Sequence, residues 1–191
     1  MWSVPREWIG ERCYILGGGP SLASVDVSSL DGRIIATNDS FLLRPDADVL
    51  YFADPMWLVW NHDERGDVVR FCGKYVITRT KIERHELDIK CLEHDMSKPL
   101  SRDPGKLCGY CSGSNAINLA YLFGVSEIVL LGFDMHGGHW HDRHKKPSKD
   151  LYATKFIPAI EKMAIELRSD GVSVLNATKN SALTCFPMIS L

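Results

Sequence analysis

The residues best suited to chemistry are concentrated in one short segment, residues 136–149, which we call the histidine loop. It contains His136, His139, His141, Asp142, Arg143 and His144. Imidazole side chains change charge near neutral pH and therefore suit proton transfer, and with a carboxylate they also suit the binding of zinc or another transition metal. A solvated loop without a chemical role is a third interpretation, and the residues alone leave all three open.

A second segment suited to ligand binding is the glycine turn, which follows a short apolar run at residues 13–16. The turn consists of Gly17, Gly18 and Gly19. Glycine lacks a Cβ, so a phosphate or sugar can approach its amide closely. Pro20 and Ser21 then suit the first turn of a helix whose amides point towards an anion. The pattern is neither the G-x-G-x-x-G fingerprint nor a P-loop, so a plain tight turn remains an alternative.

The elements that must position these residues alternate between strands and helices. Apolar runs predict strands at 13–16, 33–37, 48–53, 74–78, 127–131 and 172–175, and apolar residues at helical spacing predict helices at 112–124 and 151–168. This alternation predicts one α/β domain over residues 1–191, Rossmann-like, with a mostly parallel sheet and helices on both faces. Residues 82–106 lack a clear pattern and predict a less regular excursion with one edge strand.

Polar residues follow the predicted strands directly. They are Asn38, Asp54, Asp134, Asn180 and Ser181. Ligands of open parallel sheets bind outside the carboxyl ends of the strands, so these residues are expected to converge with the glycine turn. Asp134 has a second interpretation, as a carboxylate that caps nearby backbone amides. Ser112 and Gly113 begin a predicted helix. The C-x-x-C pair just before them could be a redox pair or half of a zinc site, although a thioredoxin-like context is missing.

The composition limits the classes of partner. The chain of 191 residues carries a net charge of -2, so no global basic field attracts a polyanion. The first residues resemble neither a secretion signal nor a membrane span, which leads us to expect a cytoplasmic location. The six cysteines are scattered and are expected to be reduced. The sequence leaves the oligomeric state open, a homo-oligomer included.

Taken in order, these motifs resemble the family-42 glycosyltransferases, bacterial sialyltransferases that use a CMP-activated sugar, and the related small DUF115 (MAF-like) proteins. The similarity spans most of the chain and is carried by residues 17–22, Asn38, Asp54-Pro55, Ser112-Gly113, 132–134 and Asn180-Ser181. It implies an enzyme that binds a nucleotide or nucleotide-sugar donor and transfers the glycosyl group to an acceptor hydroxyl by direct displacement.

The resemblance also implies a role for each motif. Donor phosphate and ribose are assigned to Gly18, Gly19, Asn38, Asp54, Ser112 and Gly113, and the nucleobase pocket to Gly132, Phe133 and Asp134. A histidine before the last helix acts as general base, and the candidates here are His141, His144 and then His139, with Asp142 to orient one of them. His136 stands where the family carries a tyrosine.

Departures from the family pattern leave the substrate open. Gly18 and Asp54 stand where the sialyltransferases carry asparagines, and Gly109 where they carry an arginine, so the donor need not be CMP-sialic acid. Glycosyl transfer would require no cofactor. The alternatives are a Mg²⁺-dependent pyrophosphokinase-like reaction with Asp54 and Asp134 as metal ligands, and a non-catalytic nucleotide-binding module. The acceptor is unspecified, and a modified nucleic acid finds no support in the charge.

Overall fold

The computed structural model describes residues 2–82, 87–143 and 149–191. Its strands are β1 Arg12–Leu16, β2 Arg33–Thr37, β3 Val49–Phe52, β4 Tyr75–Thr78, β5 Ile89–Cys91, β6 Glu93–His94, β7 Lys106–Leu107, β8 Glu127–Leu131 and β9 Ser173–Asn176. Seven of them form one parallel sheet in the order β5-β4-β3-β2-β1-β8-β9, and β6 pairs with β7. The predicted single α/β domain with a mostly parallel sheet is confirmed. The edge strand predicted within 82–106 is β5.

The helices are α1 Pro55–Leu58, α2 Ser112–Phe123, α3 Lys149–Leu151 and α4 Ile157–Ser169. A π-helical turn, Val59–Glu64, extends α1, and a second one, Tyr152–Phe156, joins α3 to α4. Pro158, which cannot donate a backbone hydrogen bond to the preceding turn, lies just after this second π-helical turn, where the regular α-helical hydrogen bonds are interrupted. Short 3₁₀ turns follow β1 and β2, at Pro20–Ser24 and Asn38–Leu42.

Helix α2 begins and ends where its sequence dictates. Cys111 is the N-cap: its Sγ accepts from the Ser114 amide, and the Ser114 hydroxyl accepts from the Cys111 amide. These reciprocal contacts satisfy two backbone donors at the helix start. Gly124 ends the helix with φ of 95°, a left-handed conformation that glycine adopts without strain.

The sheet is buried on both faces, because alternate residues of each strand point to opposite sides. In β1, Cys13 and Ile15 pack into the cluster that α2 and α4 cover, whereas Tyr14 and Leu16 pack into the opposite one. That second face is covered by short turns and α1, including the fully buried Trp57. The connection from β2 to β3, residues 38–48, is too short for a long helix.

The strand order places a topological switch point between β1 and β8. From β1 the chain proceeds outward through β2, β3, β4 and β5, then returns to place β8 on the other side of β1. After β1 the chain continues to the face of the sheet that contains Leu22 and Val27, and after β8 it continues to the opposite face, which α4 covers. Ligands of open parallel sheets bind at the carboxyl edge at such a point. Among the described helices, none is both long and apolar enough to cross a membrane.

Candidate functional site

A cavity of about 450 Å³ opens at the carboxyl edge of the sheet, above this switch point. The predicted site residues that line it are Gly17, Gly18, Gly19, Asn38, Asp54, Ser112, Gly113, Gly132, Phe133, His139 and His141. They come from turns that are far apart in sequence and meet because the parallel strands end at one edge. The volume lies in the range of small-molecule sites.

The glycine turn is built against the turn that follows β8. The Gly19 amide donates to the Gly132 carbonyl at 2.8 Å, and the Gly17 amide donates to the Leu131 carbonyl at 2.7 Å. A Cβ on Gly17 would lie 2.5 Å from the Gly132 oxygen, and a Cβ on Gly19 would lie 2.0 Å from Asp134 Oδ2. These two positions therefore require glycine for packing.

Gly18 differs from its neighbours, because a Cβ there would meet only the His139 ring, with Nδ1 at 3.2 Å. Within the described part of the chain, the Gly18 amide donates to no acceptor. Its carbonyl accepts from the Trp140 amide at 3.0 Å, which joins the glycine turn to the histidine loop. All three glycines line the cavity, and among them only Gly18 has an amide without an acceptor in the described part of the chain.

The N-terminus of α2 forms the opposite wall. The Asn38 side-chain amide donates to the Ser112 hydroxyl at 3.3 Å, so the ends of β2 and α2 are in contact. A Cβ on Gly113 would lie 2.8 Å from the Phe133 ring, so a side chain here would displace that ring. First-turn amides of a helix of this length, with its dipole, favour an anion in the cavity.

Two histidines of the histidine loop reach the cavity, with rings stacked at a centroid distance of 5.6 Å. His141 Nδ1 accepts from the Arg143 amide at 3.2 Å, and its Nε2 lies 3.6 Å from Asp39 Oδ2. An accepting Nδ1 places the proton of a neutral ring on Nε2, towards this carboxylate. Both nitrogens of His141 thus face protein groups, whereas the His139 ring lies next to Gly18 in the cavity lining.

Asp39 is a fully buried carboxylate that the sequence analysis missed. Its Oδ1 accepts from Trp57 Nε1 at 2.5 Å, and Arg143 Nη1 lies 3.9 Å from its Oδ2. Arg143 also donates to Asp67 Oδ2 at 2.7 Å. A buried carboxylate beside an arginine and a histidine attaches the histidine loop to the turn after β2.

Five other predicted site residues are outside the cavity lining. Asp134 accepts from the Ser21 amide at 3.1 Å and from the Ser21 hydroxyl at 2.8 Å, as expected if it caps backbone amides. The Ser181 hydroxyl donates to the Phe133 carbonyl, and His136 Nε2 lies 2.9 Å from the Asn180 carbonyl oxygen. These residues form hydrogen bonds with the turns that surround the cavity and thereby stabilise those turns. A side chain at a strand end can point towards the ligand or towards the adjoining turn, and here it points towards the turn.

The remaining candidates of the histidine loop are Asp142 and His144. Asp142 is exposed, and His144 lies outside the described residues. Across residues 2–82, 87–143 and 149–191, no group of three His, Cys, Asp or Glu side chains is arranged to hold a metal ion. Asp54 lines the cavity and caps the Met56 amide at 2.9 Å, whereas Asp134 is directed at Ser21.

Besides Asp39, the sequence analysis missed the polar cavity residues Thr37, Ser40, Arg79, Tyr110 and Tyr152. Arg79 Nη1 donates to the Gly109 carbonyl at 3.0 Å and lies 2.6 Å from His94 Nε2. Burial lowers the pKa of His94, so the arginine provides the positive charge of the pair. Burial raises the pKa of the Tyr152 hydroxyl, with Cys111 and Asp134 nearby, and keeps it a hydrogen-bond donor.

The C-x-x-C pair serves the start of α2. Cys108 and Cys111 are both free thiols, as are the other four cysteines. Burial raises the pKa of Cys108 to about 11, which makes its thiolate scarce at neutral pH. Cys111 caps the helix. That the cysteines are reduced stays a prediction, and the raised pKa of Cys108 and the capping role of Cys111 provide no support for a redox pair.

Fold and cavity together define a class: a single-domain parallel α/β protein with a ligand-sized cavity at the switch point of its sheet. No family model and no curated protein matches the chain. Solved structures with the same architecture are bacterial sialyltransferases. CstII from Campylobacter jejuni in complex with CMP is 14% identical with a TM-score of 0.61, over 96% of this chain and 86% of that chain.

Two further sialyltransferase structures share this fold. Sialyltransferase CST-II in complex with a trisaccharide acceptor and CMP is 15% identical with a TM-score of 0.55, over 94% of this chain and 86% of that chain. The monofunctional α-2,3-sialyltransferase Cst-I from Campylobacter jejuni is 15% identical with a TM-score of 0.59, over 94% and 80%. At these identities the likeness establishes a shared fold.

Proposed function

We propose that the protein is a glycosyltransferase of the family-42 type, which binds a nucleotide-activated sugar in the cavity and transfers the sugar to an acceptor hydroxyl. The observation that carries this proposal is the convergence, in one cavity, of the Gly18 main chain, the α2 N-terminus and the histidine loop. The likeness to sialyltransferase structures that contain CMP supports the same ligand class.

The donor phosphate would bind between the glycine turn and α2. The Gly18 amide has no acceptor among the described residues, and Ser112 and Gly113 contribute the first amides of α2. Asn38 adds a side-chain amide, and Arg79 a positive charge. Together they stabilise the negative charge that develops on the leaving phosphate. Phe133, with Gly132 beside it, would form part of the nucleobase pocket.

His139 is our choice of general base. In direct displacement, the acceptor oxygen forms a bond to the anomeric carbon while the bond from that carbon to the phosphate oxygen breaks, and the acceptor proton passes to the imidazole. His139 lines the cavity next to Gly18, so the base lies beside the proposed phosphate site. His141 instead positions it by ring stacking. His144 and Asp142 remain candidates from the sequence alone.

This mechanism requires no metal, because amides and an arginine carry the phosphate charge. The competing pyrophosphokinase-like reaction would need Asp54 and Asp134 to share Mg²⁺, and the hydrogen bonds from Ser21 to Asp134 speak against it. A non-catalytic nucleotide-binding module would use the same cavity without a base. Experiments must decide between these two alternatives and the proposed transfer. The cytoplasmic location and the relationship to the DUF115 proteins are likewise hypotheses.

The test is a thermal-shift screen of CMP, UDP, GDP and their sugar derivatives. A ligand at about a thousand times its Kd adds about 4 kcal/mol to the free energy of unfolding, which for a chain of this size raises Tm by about 8–16 °C. Donor hydrolysis and transfer are then measured with and without EDTA. Loss of all turnover with EDTA would favour the Mg²⁺-dependent alternative, and no Tm shift with any nucleotide would contradict the proposal.

A variant separates catalysis from binding. His139→Ala should lower kcat about 10²- to 10⁴-fold and leave the nucleotide-induced Tm shift intact. The matched control is His62→Ala, which replaces a partly buried histidine on the extension of α1 that is absent from the cavity lining. If His139→Ala turns over at the wild-type rate, the proposed base is wrong. If nucleotide binds but no donor is ever consumed, the protein is a binding module.

A further inference from the structure

A second depression of about 580 Å³ adjoins the donor cavity, and we call it the basic groove. It is lined by Met96, Ser97, Lys98, Pro99, Gly109, Tyr110, Thr154, Lys155, Pro158, Ala159 and Lys162. Tyr110 lines both depressions, so the groove and the donor cavity share a wall. A molecule in the groove can therefore extend past Tyr110 towards the site of group transfer.

The groove has a one-sided charge. Lys98, Lys155 and Lys162 are all exposed, and none of the three forms an ion pair with a described residue. Three other lysines form ion pairs, Lys74 with Glu7, Lys90 with Asp88 and Lys106 with Glu93. Among the described lining residues there is no Asp or Glu, and Asp95, outside the lining, interacts electrostatically with Lys98. The described lining therefore carries three positive and no negative side chains on a protein whose net charge is -2.

The groove also offers apolar surface beside its cations. Tyr110 is 48% exposed and Met96 is 42% exposed. An exposed aromatic ring can pack against the apolar face of a sugar ring, while a lysine ammonium attracts a carboxylate or phosphate. This combination fits a saccharide with acidic groups better than a neutral one.

We propose that the basic groove is the acceptor subsite, and that the acceptor is a short saccharide that carries carboxylate or phosphate groups. The proposal rests on the proposed glycosyl transfer, since it assigns the second substrate of that reaction. Three lysines on a chain with a net negative charge suit a compact ligand with a few charges, whereas a long polyanion would meet repulsion beyond the groove.

The experiment measures binding by isothermal titration calorimetry at low salt, with the full chain and saturating CMP. The probes are lactose, glucuronic acid-containing disaccharide, lactose 6′-phosphate and a ten-nucleotide oligothymidylate. We expect at least tenfold tighter binding of an acidic saccharide than of lactose, and loss of that preference in 0.5 M salt. Whichever of the two acidic probes binds more tightly, the glucuronic acid-containing disaccharide or lactose 6′-phosphate, identifies the acidic group that the groove prefers.

The variants connect this preference to the lysines. A triple variant, Lys98→Ala/Lys155→Ala/Lys162→Ala, should lose at least tenfold in affinity for the acidic probe, whereas the corresponding triple arginine variant should retain it. Lys179→Ala is the matched control, since Lys179 is exposed, unpaired and outside the groove. All variants should keep the wild-type Tm and the CMP-induced Tm shift, because the exposed lysines contact neither the core nor the donor site.

Equal affinity for lactose and the acidic probes, no binding of any saccharide, or full affinity in the triple alanine variant would each overturn the proposal. Tight binding of the oligothymidylate alone would replace the saccharide with a nucleic acid. The two proposals fail separately: if CMP and the other nucleotides give no Tm shift, the donor assignment is wrong, whereas a normal shift without acidic preference refutes the acceptor subsite alone.

Discussion

Two adjacent glycines should respond in opposite ways to the same added methyl group. In Gly19→Ala, the Cβ would lie 2.0 Å from Asp134 Oδ2 and 2.6 Å from the Gly132 oxygen, both held by hydrogen bonds. Overpacking costs about 1–3 kcal/mol, and each disrupted hydrogen bond about 0.5–1.5 kcal/mol. We expect a loss of about 3–5 kcal/mol, which lowers Tm by about 6–20 °C.

In Gly18→Ala, the Cβ would meet only the His139 ring at 3.2 Å, a side-chain neighbour that can turn aside. Neither glycine has a positive φ, so alanine can adopt both backbone conformations. The free energy of unfolding should therefore change by less than about 1 kcal/mol. The methyl group would occupy the space of the proposed phosphate, so nucleotide affinity should fall at least tenfold, about 1.4 kcal/mol.

Differential scanning fluorimetry with and without nucleotide measures both effects in one assay. Wild-type protein provides the reference, and each variant serves as the control for the other. The reasoning would be refuted by a Gly19→Ala variant as stable as wild type, or by a Gly18→Ala variant that binds nucleotide with wild-type affinity. Destabilisation of both variants to the same degree would indicate that all three glycines serve packing.

The remaining predictions concern charge and thiol chemistry. Asp39→Asn removes the buried carboxylate that faces Arg143 of the histidine loop. The attraction between the two charges is about 4 kcal/mol at an effective dielectric constant of about 20 and is partly offset by desolvation, so we expect a net loss of about 1–3 kcal/mol in the free energy of unfolding. Calorimetry measures this loss, and an unchanged Tm would contradict the prediction. Because burial raises the pKa of Cys108 to about 11, iodoacetamide at pH 8 should alkylate it at least tenfold more slowly than the exposed Cys72, as read by mass spectrometry. Hydrogen bonds from Arg102 lower the pKa of Asp170 in the folded protein. Their contribution to stability is therefore present above the ordinary carboxyl pKa and is lost as the pH falls through the lowered pKa of the folded state. Arg102→Ala should return the pKa of Asp170 towards its ordinary value, as measured by NMR.

The strands were predictable because each one is a short run of apolar residues, which a chain of this size must bury in its core. Residues 127–131 are apolar on both faces, which is typical of a central parallel strand, and β8 occupies that place next to β1. The Ser112 helix start and the Gly124 helix end were predictable from capping chemistry alone. Convergence of the strand-end turns then follows from the parallel topology.

The direction of individual side chains was not predictable in the same way. Asp134 and Ser181 follow strands as Asn38 does, yet they bond to neighbouring turns, and only Asn38 of the three lines the cavity. Arg79 directly follows β4 and therefore had the same strand-end signal as Asn38, whereas Tyr152 enters the cavity from the π-helical turn before α4, which has no such motif. Residues like Tyr152 are brought in by tertiary packing, which a single sequence does not encode as a spacing.

The main-chain hydrogen bond from Trp140 to Gly18 has a further consequence for the order of events. It couples the segment that carries His139 to the backbone that would surround a phosphate. We therefore expect that an adjustment of the glycine turn to an incoming nucleotide also moves the segment that carries His139. For the proposed glycosyl transfer, this coupling predicts an ordered reaction in which the activated sugar binds first and the acceptor hydroxyl second.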